Sequence, residues 1–230
     1  MFLNYFYDKY YLILVVPTLL LSLWAQIVVK SAFAKYSKIP CSRKISGQDA
    51  AATLLRVNCI SDVKIEPVGG SMTDHYDPAR KVLRLSEPVY NKNSIAAVGV
   101  AAHELGHALQ HASSWGPLAL RTGLVPIANI GSSIGPWLAI AGFIFSMPLL
   151  INIGIVLFGI AVLFYVVTLP VEFNASSRAL TLLRDNNILN GDELKGARKV
   201  LNAAALTYVA SALTAIMSLL RLVLLSRRRK

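Results

Sequence analysis

The stretch Tyr10 to Val29, YYLILVVPTLLLSLWAQIVV, runs 20 residues without a charge. As an α-helix rising about 1.5 Å per residue it would reach about 30 Å, the thickness of a bilayer's hydrocarbon core. Three more apolar runs follow, at about 122–145, 148–170 and 203–225. Over 230 residues the chain is 55% hydrophobic and 15% charged, too apolar for a soluble domain of this size. These runs predict a mainly α membrane protein with about four hydrophobic helices. The first is expected to be a retained anchor. Ala32 to Ala34 resemble a signal cleavage site, but only Asp8 and Lys9 charge the region before the apolar run, and Lys30 interrupts the approach to the site.

The net charge of +11 is scattered around the apolar spans, with no basic patch interleaved with aromatics, so no nucleic-acid partner is expected. Membrane topology and anionic lipid account for it, with the lipid bilayer as the partner. Lys30, Lys35, Lys38, Arg43 and Lys44 crowd the exit of the first span, which puts the following segment in the cytoplasm of a multi-pass cell-membrane protein. Four full crossings would then carry Arg227 to Lys230 outside. Because Arg221 interrupts the last apolar run, the crossing of that segment stays open. Cys41 and Cys59 form no metal knuckle and are expected as two free thiols.

The second run carries Pro126, Asn129, Gly131, Ser132, Ser133, Gly135 and Pro136. Small residues let helices approach closely, and broken backbone is tolerated at membrane depth only under cover of protein or a water-filled cavity. Simple helix packing and a substrate channel both fit this composition. Between the first two spans lies a polar segment in which DVKIEPV, from Asp62, and KVLRLS, from Lys81, read as short strands of a small β-hairpin or sheet.

Asn93 or Ser94 should then cap a helix over about Ile95 to Ala112, which contains HELGH. Residues four apart share a helix face, so His103 and His107 can address one ion, with Glu104 beside them. Two neutral imidazoles suit zinc, and the glutamate can take a proton from water that the ion acidifies. His111 continues the face, but eight residues of helix rise about 12 Å while a zinc to nitrogen bond is about 2.1 Å. His111 is therefore expected to be structural or interfacial. Catalytic zinc usually takes a third protein ligand. Glu172 is expected to open an amphipathic helix directly after the third span, and because the second and third spans form a hairpin, topology returns it to the membrane face on which the HELGH helix lies. Asp74, Asp77 and Glu87 compete for the role, while Asp185, Asp192 and Glu193 read as solvated charges.

Three features, the run from Ser71 to His111, the Gly, Asn and Pro-bearing second span, and PVEFNASSRAL from Pro170, together resemble the YugP-like neutral zinc metallopeptidases of bacterial membranes. The resemblance covers nearly the whole chain. It implies a gluzincin-like membrane zinc peptidase with His103 and His107 as ligands, Glu104 as general base, and Glu172 at the position of the helix-borne glutamate ligand. Gluzincins commonly place an aspartate four residues after that glutamate to brace the first histidine. Here Ser176 stands there and the nearer candidate is Asn174, so an amide, a hydroxyl or a backbone carbonyl could serve.

The expected reaction is hydrolysis of peptide bonds in peptide or protein substrates, membrane proteins among them, at the membrane interface. His75 or Tyr76, on the turn between the predicted strands, is expected to stabilise the oxyanion, His75 first; a loop residue bonded to backbone is the plainer role for either. KVLRLS could pair with an extended substrate as an edge strand. One membrane-embedded domain is expected over residues 1–230, its catalytic segment formed by about 60–115 and 172–200. The alternatives are a zinc-binding membrane scaffold without activity and an intramembrane protease. The polar flanks of HELGH and the lack of an LDG-like ligand motif argue against the second.

Overall fold

The computed structural model describes residues 8–227, so the basic end at 228–230 lies outside the described residues. The chain divides into two compact units, and four of its helices belong partly or wholly to the apolar one.

The apolar unit takes in residues up to Gln26, Ala119–Pro170 and from Leu206 onward. Its helices belong to α1 (Tyr11–Tyr36, opening with a π-helical turn at Tyr11–Val15), α5 (Gly116–Ile144), α6 (Pro148–Asp185) and α7 (Asp192–Arg227). All four are long and apolar enough to cross a membrane. Leu20, Trp24, Trp137, Phe145, Leu149 and Val156 are exposed on this unit, a surface that suits lipid and not water. The small residues of the second span serve helix packing. A Cβ on Gly135 would lie 2.9 Å from the Phe158 amide nitrogen, and one on Gly154 2.5 Å from that of Ala139. Around these crossings sit Phe143, Ile151, Phe158 and Val162.

Two expectations about these helices change. Helix α5 is unbroken, with Pro126 and Pro136 inside it, and α6 continues through Pro170 where a new helix was expected. Each proline removes a single backbone bond, and in apolar surroundings the flanking bonds hold the helix together.

At its chain ends the unit carries an ion pair. The Arg221 guanidinium donates to one Asp8 oxygen from Nε at 2.9 Å and from Nη2 at 2.7 Å, and lies over the Tyr11 ring at 5.1 Å. The other Asp8 oxygen accepts from the amides of Tyr10 and Tyr11, which caps α1. Further along the same two helices the Ser22 and Thr214 hydroxyls meet at 3.2 Å.

The second unit comprises Ile27–Leu118 and Val171–Ala205. Helix α2 (Gly47–Val57) starts in a capping box between Ser46 and Asp49. Strands β1 (Lys64–Val68), β2 (His75–Asp77) and β3 (Val82–Ser86) are followed by the short α3 (Glu87–Tyr90) and by α4 (Ile95–Ala112). The α4 bounds match the sequence expectation, and Ser94 Oγ caps it by accepting from the Ala97 amide at 3.1 Å. The core joins Leu54, Leu83, Leu85, Val98, Leu105, Leu183 and Leu189.

The sheet has the order β1-β3-β2, with β1 parallel and β2 antiparallel to β3. His75 and Tyr76 thus lie on a strand and not on a turn. The Asp74 carboxylate holds that strand in place by accepting from the Ser86 amide at 2.7 Å and its hydroxyl at 2.8 Å. KVLRLS is consequently the central strand, paired on both sides, and the edges belong to β1 and β2. Both thiols are free, Cys41 buried and Cys59 exposed.

Candidate metal centre

The centre lies where α4 crosses the Val171–Asp185 half of α6. Gly106 makes the crossing tight, since a Cβ there would stand 2.6 Å from the Ala175 carbonyl oxygen. The side chain that Gly106 spares would thus have met the α6 backbone. The approach brings Glu172, one helical turn before Ser176, against the apolar-rich face of α4 that carries the histidines.

His103, His107 and Glu172 each offer a donor atom, and all three atoms lie within 4.8 Å of one another. Glu172 Oε2 stands 3.3 Å from His103 Nε2 and 3.6 Å from His107 Nε2. The imidazole rings meet nearly edge to face, with centroids 4.9 Å apart at 85°. His107, Glu172 and Glu104 are buried. Burial alone would push the His107 pKa down. The nearby carboxylates of Glu172 and Glu104 and its contact with Gln110 outweigh that and raise it.

Each histidine is held from behind. His103 Nδ1 meets Ser176 Oγ at 3.1 Å, the position where an aspartate was sought, and His107 Nδ1 meets Gln110 Oε1 at 3.0 Å. Gln110, itself fully buried, also donates to the Val171 carbonyl at 2.8 Å and to Asn174 Oδ1 at 3.0 Å. Asn174 thus stands behind Gln110 and accepts in addition from Arg178 Nε at 2.8 Å. Sequence reasoning missed Gln110. A glutamine three residues after a histidine carries no motif, and its role depends on the backbone of another helix.

The competing carboxylates have other partners. Asp74 caps the β3 end; Asp77 accepts from the Ala79 and Arg80 amides and pairs with Arg84; Glu87 opens α3 and is exposed. Asp185 pairs with Arg184, Asp192 with Lys195, and Glu193 accepts from Ser42. His111 stays out of the cluster and bonds Tyr76, whose hydroxyl lies 2.8 Å from its Nδ1. Burial first, then the charges of Asp62 and Asp77, push the Tyr76 pKa up to about 12. His75 is exposed and not part of the metal-ligand group. Its Nδ1 faces the Thr73 carbonyl at 2.8 Å and its Nε2 the Arg84 guanidinium at 3.4 Å.

Donor chemistry and spacing both suit zinc. Two imidazole nitrogens and a carboxylate oxygen are its usual ligands, and bonds of about 2.0–2.1 Å at tetrahedral angles put ligand atoms about 3.4 Å apart. The observed 3.3 and 3.6 Å fall on either side of that value.

Comparison with known proteins likewise points to zinc. A family model described as "Putative neutral zinc metallopeptidase" matches residues 11–227. The chain is also 49% identical over 215 residues to the "Putative membrane protease YugP" of Bacillus subtilis (strain 168), covering 94% of this chain and 96% of that protein. No solved structure matches significantly. With nearly its whole length matched both by the family model and by a relative of high identity, the chain belongs to this family of neutral zinc metallopeptidases.

Proposed function

We propose that the protein is a gluzincin-like membrane-bound endopeptidase in which His103, His107 and Glu172 hold a zinc ion and Glu104 is the general base. The observation that carries the reading is the convergence of three donor atoms within 4.8 Å at a spacing suited to zinc. When bound, zinc polarises the scissile carbonyl and lowers the pKa of water. Glu104, adjacent to His103 on α4 and 9% exposed, takes a proton from the attacking water and later hands it to the leaving amine. Water thereby adds across the C–N bond, leaving a carboxylic acid and an amine.

The donor to the carbonyl oxygen comes from β2, in His75 or Tyr76. His75 offers the more exposed group, while Tyr76 contacts the α4 face through His111. With a pKa near 12 the Tyr76 phenol keeps its proton at neutral pH. Removing an oxyanion donor costs about 100- to 1,000-fold in kcat. His75→Ala and Tyr76→Phe, compared on one peptide, identify which residue acts.

The ligands fall outside the most apolar stretches of the spans, which supports chemistry at the membrane interface on extended segments of peptides or membrane proteins. We place the catalytic segment in the cytoplasm. Within the apolar unit, the Asp8–Arg221 pair joins the start of α1 to the end of α7, which supports an even number of crossings with both ends on one side. The other side then carries Lys30, Lys35, Lys38, Arg121, Arg178, Arg184, Lys195, Arg198 and Lys199 near span ends, against Lys9 and the basic tail. A membrane-impermeant maleimide should therefore label the exposed Cys59 in inside-out vesicles and not in intact cells. The reverse pattern overturns the orientation.

For the mechanism, Glu104→Gln should lower peptide cleavage by at least about 100- to 10,000-fold with bound zinc unchanged, read by mass spectrometry of a peptide mixture and by metal analysis. Cleavage at the wild-type rate would show that Glu104 is not the base.

A further inference from the structure

We propose that Gln110 is a positioning residue that locks His107 in the tautomer whose Nε2 lone pair faces Glu172, and that the order of hydrogen bonds behind it comes from Arg178. The inference rests on the zinc reading above and adds a residue that the motif does not contain.

Arg178 Nε–H can only donate, so the Asn174 atom that it meets at 2.8 Å is an oxygen acceptor. Gln110 faces that oxygen at 3.0 Å and the Val171 carbonyl at 2.8 Å. Neither acceptor has a proton to give, so the Gln110 atom between them is the amide nitrogen with its two hydrogens. The Gln110 oxygen is thereby turned to His107 Nδ1 at 3.0 Å. Flipping the amide would lose two hydrogen bonds and set oxygens against oxygens in a site that is 0% exposed at Gln110. Nδ1 must then carry the proton. A neutral imidazole has one N–H, so Nε2 is left with a lone pair, 3.6 Å from Glu172 Oε2. The arrangement aligns His107 as a ligand, and its last member, Arg178, is a guanidinium that can only donate.

Gln110 has a second effect. Its two donated bonds end on α6, whereas it stands on α4, so the residue that sets the tautomer also fixes the α6 turn carrying Glu172. Two of the three ligands are thus oriented through one side chain. Ser176 differs in this respect, because its hydroxyl rotates and can present either a proton or a lone pair to His103.

The test uses the full-length protein in detergent, with zinc affinity measured by chelator competition. Gln110→Met keeps the size and loses every hydrogen bond, and should weaken zinc binding about 10- to 100-fold. Gln110→Glu keeps an acceptor for Nδ1–H but gives up both amide bonds to α6, so it should recover only part of the affinity lost in Gln110→Met. Equal affinity of Gln110→Met and wild type overturns the proposal. If a variant fails to fold, nitrogen NMR of isotope-labelled histidine in the zinc-loaded wild type decides. The proposal requires a proton on His107 Nδ1, and a proton on Nε2 refutes it. The chain has four histidines, so assignment by single substitution is practical. Wild-type protein that binds no zinc would sink the proposed function itself. Wild type that binds zinc indifferently to Gln110 would sink only this inference.

Discussion

Helix α6 makes two close crossings with glycine, and their surroundings differ. In the apolar unit a Cβ on Gly154 would lie 2.5 Å from the Ala139 amide, and Phe143, Ile151, Phe158 and Val162 fill the space around the contact. In the other unit the Gly106 position lies 2.6 Å from the Ala175 carbonyl, and Glu172, Asn174, Ser176 and Gln110 surround it. The backbone device is the same, removal of a Cβ so that two helices touch. Between apolar neighbours it yields dispersion contacts, which drive association where lipid is the solvent. Between polar neighbours it brings side chains of short reach into hydrogen bonds and ligand positions. Small residues therefore set the distance, and their neighbours decide what the distance is used for.

Enlarging Gly106 should separate the two cases most sharply. Gly106→Val forces its methyl groups into the Ala175 backbone, which cannot yield as a side chain tip can, and should destabilise by more than about 3 kcal/mol. Glu172 then leaves the histidines and bound zinc should be lost. Metal analysis alongside thermal unfolding checks both effects. A Gly106→Val protein that retains zinc would mean that the crossing does not position the site.

The apolar unit answers to charge in a different way. Asp8→Asn leaves the Arg221 guanidinium, 11% exposed, without its carboxylate and should cost about 3 kcal/mol. Replacing both partners, Asp8→Leu with Arg221→Met, should restore most of that loss, because a buried pair contributes little over an apolar replacement. Zinc affinity should stay at the wild-type value in both variants. Gly135→Ala follows at about 1–3 kcal/mol by overpacking against Phe158, again with zinc unaffected. A zinc affinity that changed with Gly135→Ala would dissolve the distinction between the two crossings.

What was legible in the sequence follows the range of each interaction. Apolar runs and the Ser94 cap are local signals, and long apolar helices lie over the four runs while α4 has the expected bounds. His103 and His107 needed only helical spacing, and His111 was set aside by helical rise. Glu172 was reachable through topology, since consecutive spans must return. The sheet was only partly legible, because the pairing of His75–Asp77 with Val82–Arg84 is held by Asp74 reaching the far end of β3, a contact between residues twelve apart. Continuity of α6 through Pro170 was illegible because a proline's local cost says nothing of the helix packed beside it. Gln110 was illegible for the same reason in stronger form, since its partners at Val171 and Asn174 lie sixty-one and sixty-four residues away.

Ser176 gives the smallest effect and bears on how the site is tuned. A hydroxyl faces His103 Nδ1 at the position where the resemblance to gluzincins implied a carboxylate. A neutral partner orients the ring but adds little to its basicity. Ser176→Ala should therefore weaken zinc by only about tenfold, equivalent to about 1.4 kcal/mol, and less than Gly106→Val by a wide margin. Ser176→Asp has two opposing consequences. It supplies a charged acceptor to His103 Nδ1–H, which strengthens the ligand, and it brings a second carboxylate into a buried position within reach of Glu172. With zinc bound, the ion's charge compensates the added carboxylate, so affinity should equal or exceed that of wild type. Without zinc, the two carboxylates repel and the unloaded protein should unfold at a lower temperature than wild type. The zinc-dependent rise in Tm is then larger for Ser176→Asp than for wild type. Equal rises would mean that Ser176 does not act through His103.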